Sequence, residues 1–256
     1  MYICWQLQLG GNLTTAFRCF LGVAVLLLLG STLAIGAPIT FAGSSGSLAA
    51  SATFDTSGTN LIITFSNISL ADVLVPGDVL TALFWDGPTI SPVSVVLNSG
   101  STVLFGVSDP DGVVGGEWAY KCGLAGAPAA CGLSSAGFGW FGPGDVFPGS
   151  NLQGPLSPDG VQYGLTSRGD NPLTGNAPVT GDNALIQYSV VATLTGLPEG
   201  FDPSSSITDA WFQYGTAPDE PGFSSNVPEP ALMGAVGLVL LGLGGFREFR
   251  MRRRHR

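Results

Sequence analysis

Short apolar runs bounded by glycine, proline and aspartate constrain the fold of this chain more than any other feature of its sequence. The clearest runs are residues 61–66 and 79–85, which are rich in β-branched and aromatic side chains, and residues 184–197, where apolar and polar positions alternate. Similar runs cover residues 52–56, 93–97, 103–107 and 207–214. No long stretch keeps a 3.6-residue helical period without a glycine or proline, so the sequence predicts an all-β fold.

The spacing of these runs predicts an antiparallel β-sandwich of the jelly-roll or Ig-like type, with long Gly/Pro-rich loops. The chain has 38 glycines and 18 prolines in 256 residues, which supply the turns. They crowd residues 109–183, where we expect ordered loops with short strands near Trp118 and at residues 138–141. Aromatic residues in this region favour order, and disorder is the alternative.

The N-terminal residues have the pattern of a secretory signal peptide. Arg18 is followed by an apolar run, residues 19–29, and then by the small residues Ala34 and Gly36. Small residues at this spacing are what signal peptidase reads, so we expect cleavage between Gly36 and Ala37. The apolar run is short for a permanent span, and an uncleaved anchor is the alternative.

Cleavage there makes residues 1–36 the signal peptide and residues 37–226 an exported β-rich domain. Residues 1–17 precede the only positive charge of this end and do not resemble a usual signal-peptide start. They are consistent with an over-long start of translation.

Three elements follow one another at the C-terminus: a proline-flanked motif, an apolar run over residues 231–246 and a basic tail over residues 247–256. An apolar helix of this length reaches about 24 Å, and flanking side chains or local thinning can match it to a ~30 Å hydrocarbon core. We therefore expect one C-terminal transmembrane helix. Arginine clusters stay on the cytoplasmic side, which places residues 37–226 outside. The motif consists of Val227, Pro228, Glu229 and Pro230, and the tail arginines are Arg247, Arg250, Arg252, Arg253, Arg254 and Arg256.

This order of elements resembles the PEP-CTERM sorting signal, over residues 227–256. The resemblance implies that exosortase, an integral-membrane cysteine protease of Gram-negative bacteria that make extracellular polysaccharide, recognises the motif and removes the tail. The protein would then pass through the inner membrane transiently and reach the cell surface or the medium. An ordinary C-terminal anchor with a proline-rich stalk is the alternative. More loosely, residues 60–85, 115–120 and 139–160 resemble the ectodomain of exosortase-dependent surface proteins, a resemblance that brings no activity.

The exported part is strongly acidic. All but two of the 18 acidic residues lie within residues 37–226, with only two of the nine basic residues, Lys121 and Arg168. Nucleic-acid binding needs basic patches that meet phosphates, so this distribution argues against a nucleic-acid partner. Acidic charge also keeps an exported protein soluble.

The residues that usually carry out catalysis are scarce, and we expect no enzyme and no cofactor. The only histidine, His255, lies in the basic tail, which removes Ser-His-Asp and Cys-His arrangements and His-ligated zinc from the exported part. Nothing near Lys121 marks it as a base. Two carboxylates suffice for glycoside hydrolysis, so a glycan-acting enzyme is a third reading, with the candidates Glu117, Asp145, Asp170 and Asp182. Most acidic residues lie in turn-like settings, where they bond the local backbone.

Two further sites follow from hard oxygens and from cysteine. Asp109, Asp111 and Glu117 offer ligands suited to Ca²⁺, but their spacing matches no EF-hand loop, so we assign no metal site. Cys122 and Cys131 are the only cysteines left after signal removal, and export favours a disulfide between them. Free thiols or a metal pair are the alternatives.

The leading functional hypothesis is a non-enzymatic structural or adhesive protein of the cell surface or extracellular matrix, linked to extracellular polysaccharide. The alternative is a carbohydrate-binding module in which surface aromatics stack on sugars. Its candidates are Trp118, Trp140 and Trp211, although such residues belong to the core in most sandwiches.

Overall fold

The computed structural model describes residues 36–142, 158 and 160–225. Their regular structure is mostly β-strand, and the α-helical segment among them is the single turn Pro203–Ser206. The all-β class is therefore confirmed. The strands are β1 (Ile39–Ser45), β2 (Leu48–Ser57), β3 (Asn60–Asn67), β4 (Leu80–Trp85), β5 (Ser91–Leu97), β6 (Thr102–Leu104), β7 (Ala119–Cys122), β8 (Cys131–Ser134), β9 (Leu165–Thr166), β10 (Leu185–Gln187), β11 (Ser189–Thr195), β12 (Ala210–Tyr214) and β13 (Gly222–Ser224).

The first sheet contains five strands in the order β1-β2-β3-β11-β5, and all its pairings are antiparallel. Strands β1, β2 and β3 follow one another as two hairpins. Gly46 and Gly58, with φ of 60° and 62°, adopt the left-handed backbone that these tight turns require. Strand β11 returns from far along the chain and lies between β3 and β5.

The second sheet contains eight strands. Its main path is β13-β12-β4-β9-β10-β6, and β8 pairs with both β4 and β7. Strands β9 and β10 are parallel, so this sheet is mixed, which differs from the antiparallel arrangement that the sequence predicts. All six residues of β4 are buried, because both faces of this central strand are covered.

The two sheets enclose a core of aromatic and aliphatic side chains. The Phe65 ring lies 6.2 Å edge-on from Trp118 and 6.3 Å from Phe212, with which it stacks. Phe54 and Trp85 are 5.5 Å apart in the same core. All five side chains are buried. Burial of each large apolar side chain contributes about 1.5–3 kcal/mol, which makes this core the main source of stability.

A second aromatic cluster covers the outer face of the second sheet. Phe84 of β4 lies at its centre, with ring centroids 5.4 Å from Trp140 and 6.3 Å from both Phe138 and Phe141. Trp211 of β12 pairs directly opposite Phe84. Residues 138–141 are a turn and not the short strand that the sequence predicts, because Phe138 and Gly139 have φ of 54° and 77°.

The alternating run 184–197 is also not one strand. It is divided at Tyr188, whose φ of 89° interrupts the extended backbone. Strand β10 before the break belongs to the second sheet, and β11 after it belongs to the first. The expectation that this run forms one strand was therefore wrong. The break at Tyr188 lets the chain cross from the second sheet to the first.

Residues 109–183 contain more sheet structure than the sequence indicates. Strand β7 begins next to Trp118, where a short strand was expected, and β8 and β9 join the same sheet. Within the described ranges no helix has the length and apolar character needed to cross a membrane. The predicted transmembrane helix 231–246 lies outside those ranges.

Candidate functional site

Two long loops lie side by side at one end of the sandwich, and we refer to them as the double loop: residues 68–78 and 167–176. Carboxylates hold them together. The Asp72 carboxylate accepts hydrogen bonds from the Asn171 N–H at 3.3 Å and from the Thr174 hydroxyl at 3.2 Å. The Asn176 N–H donates to the Leu74 carbonyl at 2.9 Å, which adds a backbone link.

Two more carboxylates hold the first loop, one from the same loop and one from the second loop. Asp78 accepts from the backbone N–H groups of Leu74 and Val75, at 3.0 and 3.2 Å. The Asp170 carboxylate, in a residue only 8% exposed, accepts from the Val73 N–H at 2.9 Å. Burial raises the pKa of Asp170, and the Val73 hydrogen bond opposes that rise. Charge-assisted bonds of this kind are stronger than neutral ones, so the loops are held firmly.

Glycines let the two loops approach each other closely. A Cβ atom on Gly169 would lie 2.5 Å from the Leu70 carbonyl oxygen, so a side chain there would separate the loops. Gly175, with φ of 105°, would place a Cβ 2.9 Å from the Leu74 carbonyl oxygen. The double loop is thus a packed element with its own hydrogen-bond network.

This element presents large apolar side chains to solvent. Leu173 is 85% exposed and Leu70 is 79% exposed. Together with three neighbours that are more than a third exposed they form what we name the apolar loop surface: Ile68, Leu70, Leu74, Val75 and Leu173. The sequence analysis did not identify it. The sequence feature that could have indicated this surface is the apolar run at residues 73–75, which ends at Pro76-Gly77 and does not form a strand.

The three tryptophans proposed for sugar stacking lie in different environments. Trp118 is 1% exposed and packs on Phe65 in the core, so its assignment as a surface aromatic was wrong. Trp140 and Trp211 are partly exposed and both contact the outer aromatic cluster around Phe84. The Trp211 indole N–H donates to Gln213 at 3.1 Å, which fixes its ring. The outer face of the second sheet therefore keeps two tryptophans near one another.

Of the described acidic residues considered for Ca²⁺ binding or catalysis, only Asp109 and Glu117 lie close to each other. Burial, and then the neighbouring Asp109 carboxylate, raise the pKa of Glu117. Tyr163 lies against the same pair; burial, and then the charges of Glu117 and Asp109, raise its pKa. Asp111 has a left-handed backbone with φ of 63°. Among the described residues no three His, Cys, Asp or Glu side chains converge as a metal site.

The other carboxylate candidates do not join that group. Asp170 belongs to the double loop, and Asp182 lies in a turn where its N–H donates to the Ala177 carbonyl at 3.2 Å. Asp145 lies outside the described residues. Elsewhere carboxylates again accept backbone N–H bonds, as at Asp86 with Ala130.

Cys122 and Cys131 form a disulfide in the structure, with Cα atoms 4.0 Å apart. They lie directly opposite each other at the end of β7 and the start of β8. The bond closes the loop over residues 123–130, and a loop of this length corresponds to about 2–3 kcal/mol of stabilisation.

The predicted sorting residues Val227, Pro228, Glu229 and Pro230 lie outside the described residues, as do all the tail arginines. Gly36 and Ala37 are described and precede β1. A Cβ on Gly36 would lie 2.9 Å from Pro203, so the chain passes close to the single-turn helix there. No family model, no curated protein and no solved structure matches this chain.

Proposed function

We propose that this chain is an exported surface or matrix protein without enzymatic activity, whose β-sandwich is displayed after processing by signal peptidase and exosortase. The observation that carries the proposal is the position of the folded residues between the two sequence signals. Strand β1 begins at Ile39, two residues after the predicted cleavage site, and β13 ends at Ser224, three residues before the sorting motif begins. The sandwich, of the jelly-roll or Ig-like type, would then be delivered whole.

The chemistry of the described residues supports a structural role. The carboxylates of Asp72, Asp78, Asp170 and Glu220 accept backbone N–H groups, which commits them to holding loops. A disulfide between Cys122 and Cys131 suits an oxidising compartment outside the cytoplasm. The acidic surface suits a soluble, displayed domain, and extracellular polysaccharide is the proposed environment.

The sorting motif is tested by comparing two Pro-Glu pairs in the same chain. Pro228→Ala/Glu229→Ala alters the pair in the motif, and Pro198→Ala/Glu199→Ala alters an exposed pair in the folded part. Both are expressed with the unaltered chain in an exosortase-bearing host and in a strain that lacks the enzyme. The mass of the C-terminal peptide and the cell fraction are measured.

We expect the unaltered chain and the 198/199 variant to lose the tail beyond Pro230 only where exosortase is present. The 228/229 variant should keep Arg256 and stay in the inner membrane. Retention of Arg256 by the unaltered chain in both strains would reduce the protein to an anchored ectodomain and overturn the sorting proposal.

The second candidate, carbohydrate binding, is favoured by the two partly exposed tryptophans on the outer face of the second sheet. The apolar C–H face of a sugar ring can stack on aromatic rings of this kind. Trp140→Ala/Trp211→Ala is compared with Phe105→Ala on a glycan array that includes the host polysaccharide. Binding lost only in the tryptophan variant supports this candidate, and no binding by any form removes it.

A further inference from the structure

The apolar loop surface exposes five large apolar residues on two adjacent loops. The exposed fractions of its five residues correspond to roughly 500 Å² of accessible surface, backbone included, which is comparable to the largest apolar patch on a typical monomer, a patch that is often functional. The side chains stand on loops fixed by Asp72, Asp78 and Asp170, so they cannot easily fold back onto the protein. A rigid apolar surface binds with little loss of conformational entropy.

The chain enters the sandwich at the end away from this surface. Strand β1 begins with Ile39 opposite Phe54 and ends with Ser45 opposite Leu48. The turn that follows Ser45 contacts the double loop, because the Ser47 carbonyl accepts the Ser69 hydroxyl at 2.6 Å.

The described chain also leaves at the far end. The Ser225 N–H donates to the Ala210 carbonyl at the start of β12, at 2.7 Å. The other end of β12 lies next to the double loop, since the Gly215 N–H donates at 2.8 Å to the carbonyl of Val79, the residue that directly follows the first loop. A domain held by either terminus therefore points the apolar loop surface away from its attachment.

We propose that the apolar loop surface binds the same surface on a second copy of this chain, in a two-fold contact. Two such patches face to face would bury at most about 1,000 Å², near the lower limit for a specific interface, which fits a weak contact strengthened by many displayed copies. A contact between identical patches needs no second kind of surface. The inference gives the proposed adhesive role a partner and rests on that role for its biological setting.

The charge at the rim suits a second copy. Arg168 is one of the two basic residues between Gly36 and Ser225, and it directly precedes Gly169, which abuts Leu70. Its guanidinium lies 4.9 Å from the Tyr188 ring centroid, which orients it. Asp72 is exposed on the neighbouring loop. In a two-fold contact Arg168 of each copy can approach the exposed Asp72 of the other, which offsets the repulsion between two acidic domains.

The test uses the full chain displayed on its host and a matched pair of apolar positions. Leu70→Cys and Leu173→Cys place thiols in the surface. Val107→Cys is the control, because Val107 is 78% exposed and lies outside the double loop, where its carbonyl accepts the Tyr163 hydroxyl. Cells with equal display are treated with a short bis-maleimide, and covalent dimers are measured.

We expect at least one of the two surface variants to give about tenfold more dimer than Val107→Cys, and Arg168→Glu added to it to reduce that dimer strongly. Dimer no greater than the control in both variants overturns the inference. Both variants can also stay monomeric while their thiols fail to react with a water-soluble maleimide. In that case a lipid, a glycan or another protein covers the surface, and the self-contact is again overturned. Because equal display is measured first, failure of export is recognised separately and bears on the proposed function alone.

Discussion

The central core and the double loop both satisfy their backbone hydrogen-bonding groups, but they do so by different means. In the core, strands such as β2 and β3 satisfy their backbone groups through each other, and side chains such as Phe65 need only pack. Most of the double loop lies outside the strand ladders, and there the carboxylates of Asp72, Asp78 and Asp170 accept backbone N–H groups.

The difference shows where the few charges of this chain act. Both regions are ordered, although residues 167–176 of the double loop are mostly polar. Hydrophobic burial orders the core, and charge-assisted hydrogen bonds order the loops. The two regions should therefore respond differently to mutation and to pH.

The largest expected effect is on the core. Phe65→Ala removes a fully buried ring that contacts Trp118 and Phe212, and we expect a loss of about 3–5 kcal/mol in the free energy of unfolding. Phe105→Ala is the matched control, because Phe105 is 42% exposed, and should change stability by less than half as much. Urea unfolding followed by tryptophan fluorescence measures both. Equal losses would remove the distinction between core and surface.

The disulfide lies at the edge of the core, where Cys131 is fully buried and Cys122 packs against it, and its expected effect is intermediate. Cys122→Ser/Cys131→Ser opens the loop between β7 and β8, and we expect a loss of about 2–3 kcal/mol. Adding a reductant should destabilise the unaltered chain by a similar amount and leave the double variant unchanged. A reductant effect on the double variant would show that the stabilisation has another source.

The next effect concerns the double loop. Asp170→Ala leaves the buried Val73 N–H without its acceptor, which should cost about 1–3 kcal/mol and speed hydrogen exchange at the Val73 amide. Asp219→Ala, at an exposed position, should change neither. Unchanged exchange at Val73 in the Asp170 variant would mean that the loops hold together without the carboxylate.

The smallest effect is on pH dependence and concerns Glu117, whose Oε2 is buried without a hydrogen-bond partner. Its folded-state pKa is raised from 4.5, so the folded protein binds more protons than the unfolded chain in the window above that value. Stability from this group is present below the unfolded pKa and is lost as pH rises through the folded pKa.

Glu117→Gln should therefore raise the urea midpoint at pH 7 relative to the unaltered chain and have little effect at pH 4. Glu199→Gln, at an exposed position, is the control and should give parallel curves at both pH values. A Glu117 variant that also runs parallel would show that its carboxyl group titrates normally.

The strands with strong local signals could be predicted from the sequence. Residues 61–66 and 79–85 correspond closely to β3 and β4, because β-branched and aromatic residues in alternation leave few other structures. The weakly patterned β1 and β13 were missed. Their glycines and serines give no local preference, and they are strands because neighbouring strands pair with them.

The division at Tyr188 and the double loop could not be predicted for a different reason. A positive φ at a tyrosine is imposed by the crossing between two sheets, and the sequence around it continues to alternate. The bonds from Asp72 to residues 171 and 174 join positions about a hundred residues apart. Such pairings depend on the completed topology, so a local pattern carries no trace of them.

The place of β11 has a consequence for the order in which the chain acquires its structure. Ser66 and Ser189 share a hydrogen bond across a separation of 123 residues, and Thr81 and Gly215 across 134. A chain that emerges N-terminus first can form the hairpins of β1 to β3 early, but neither sheet can be completed before its last quarter arrives. Cooperative folding of such a chain therefore waits for its C-terminal strands.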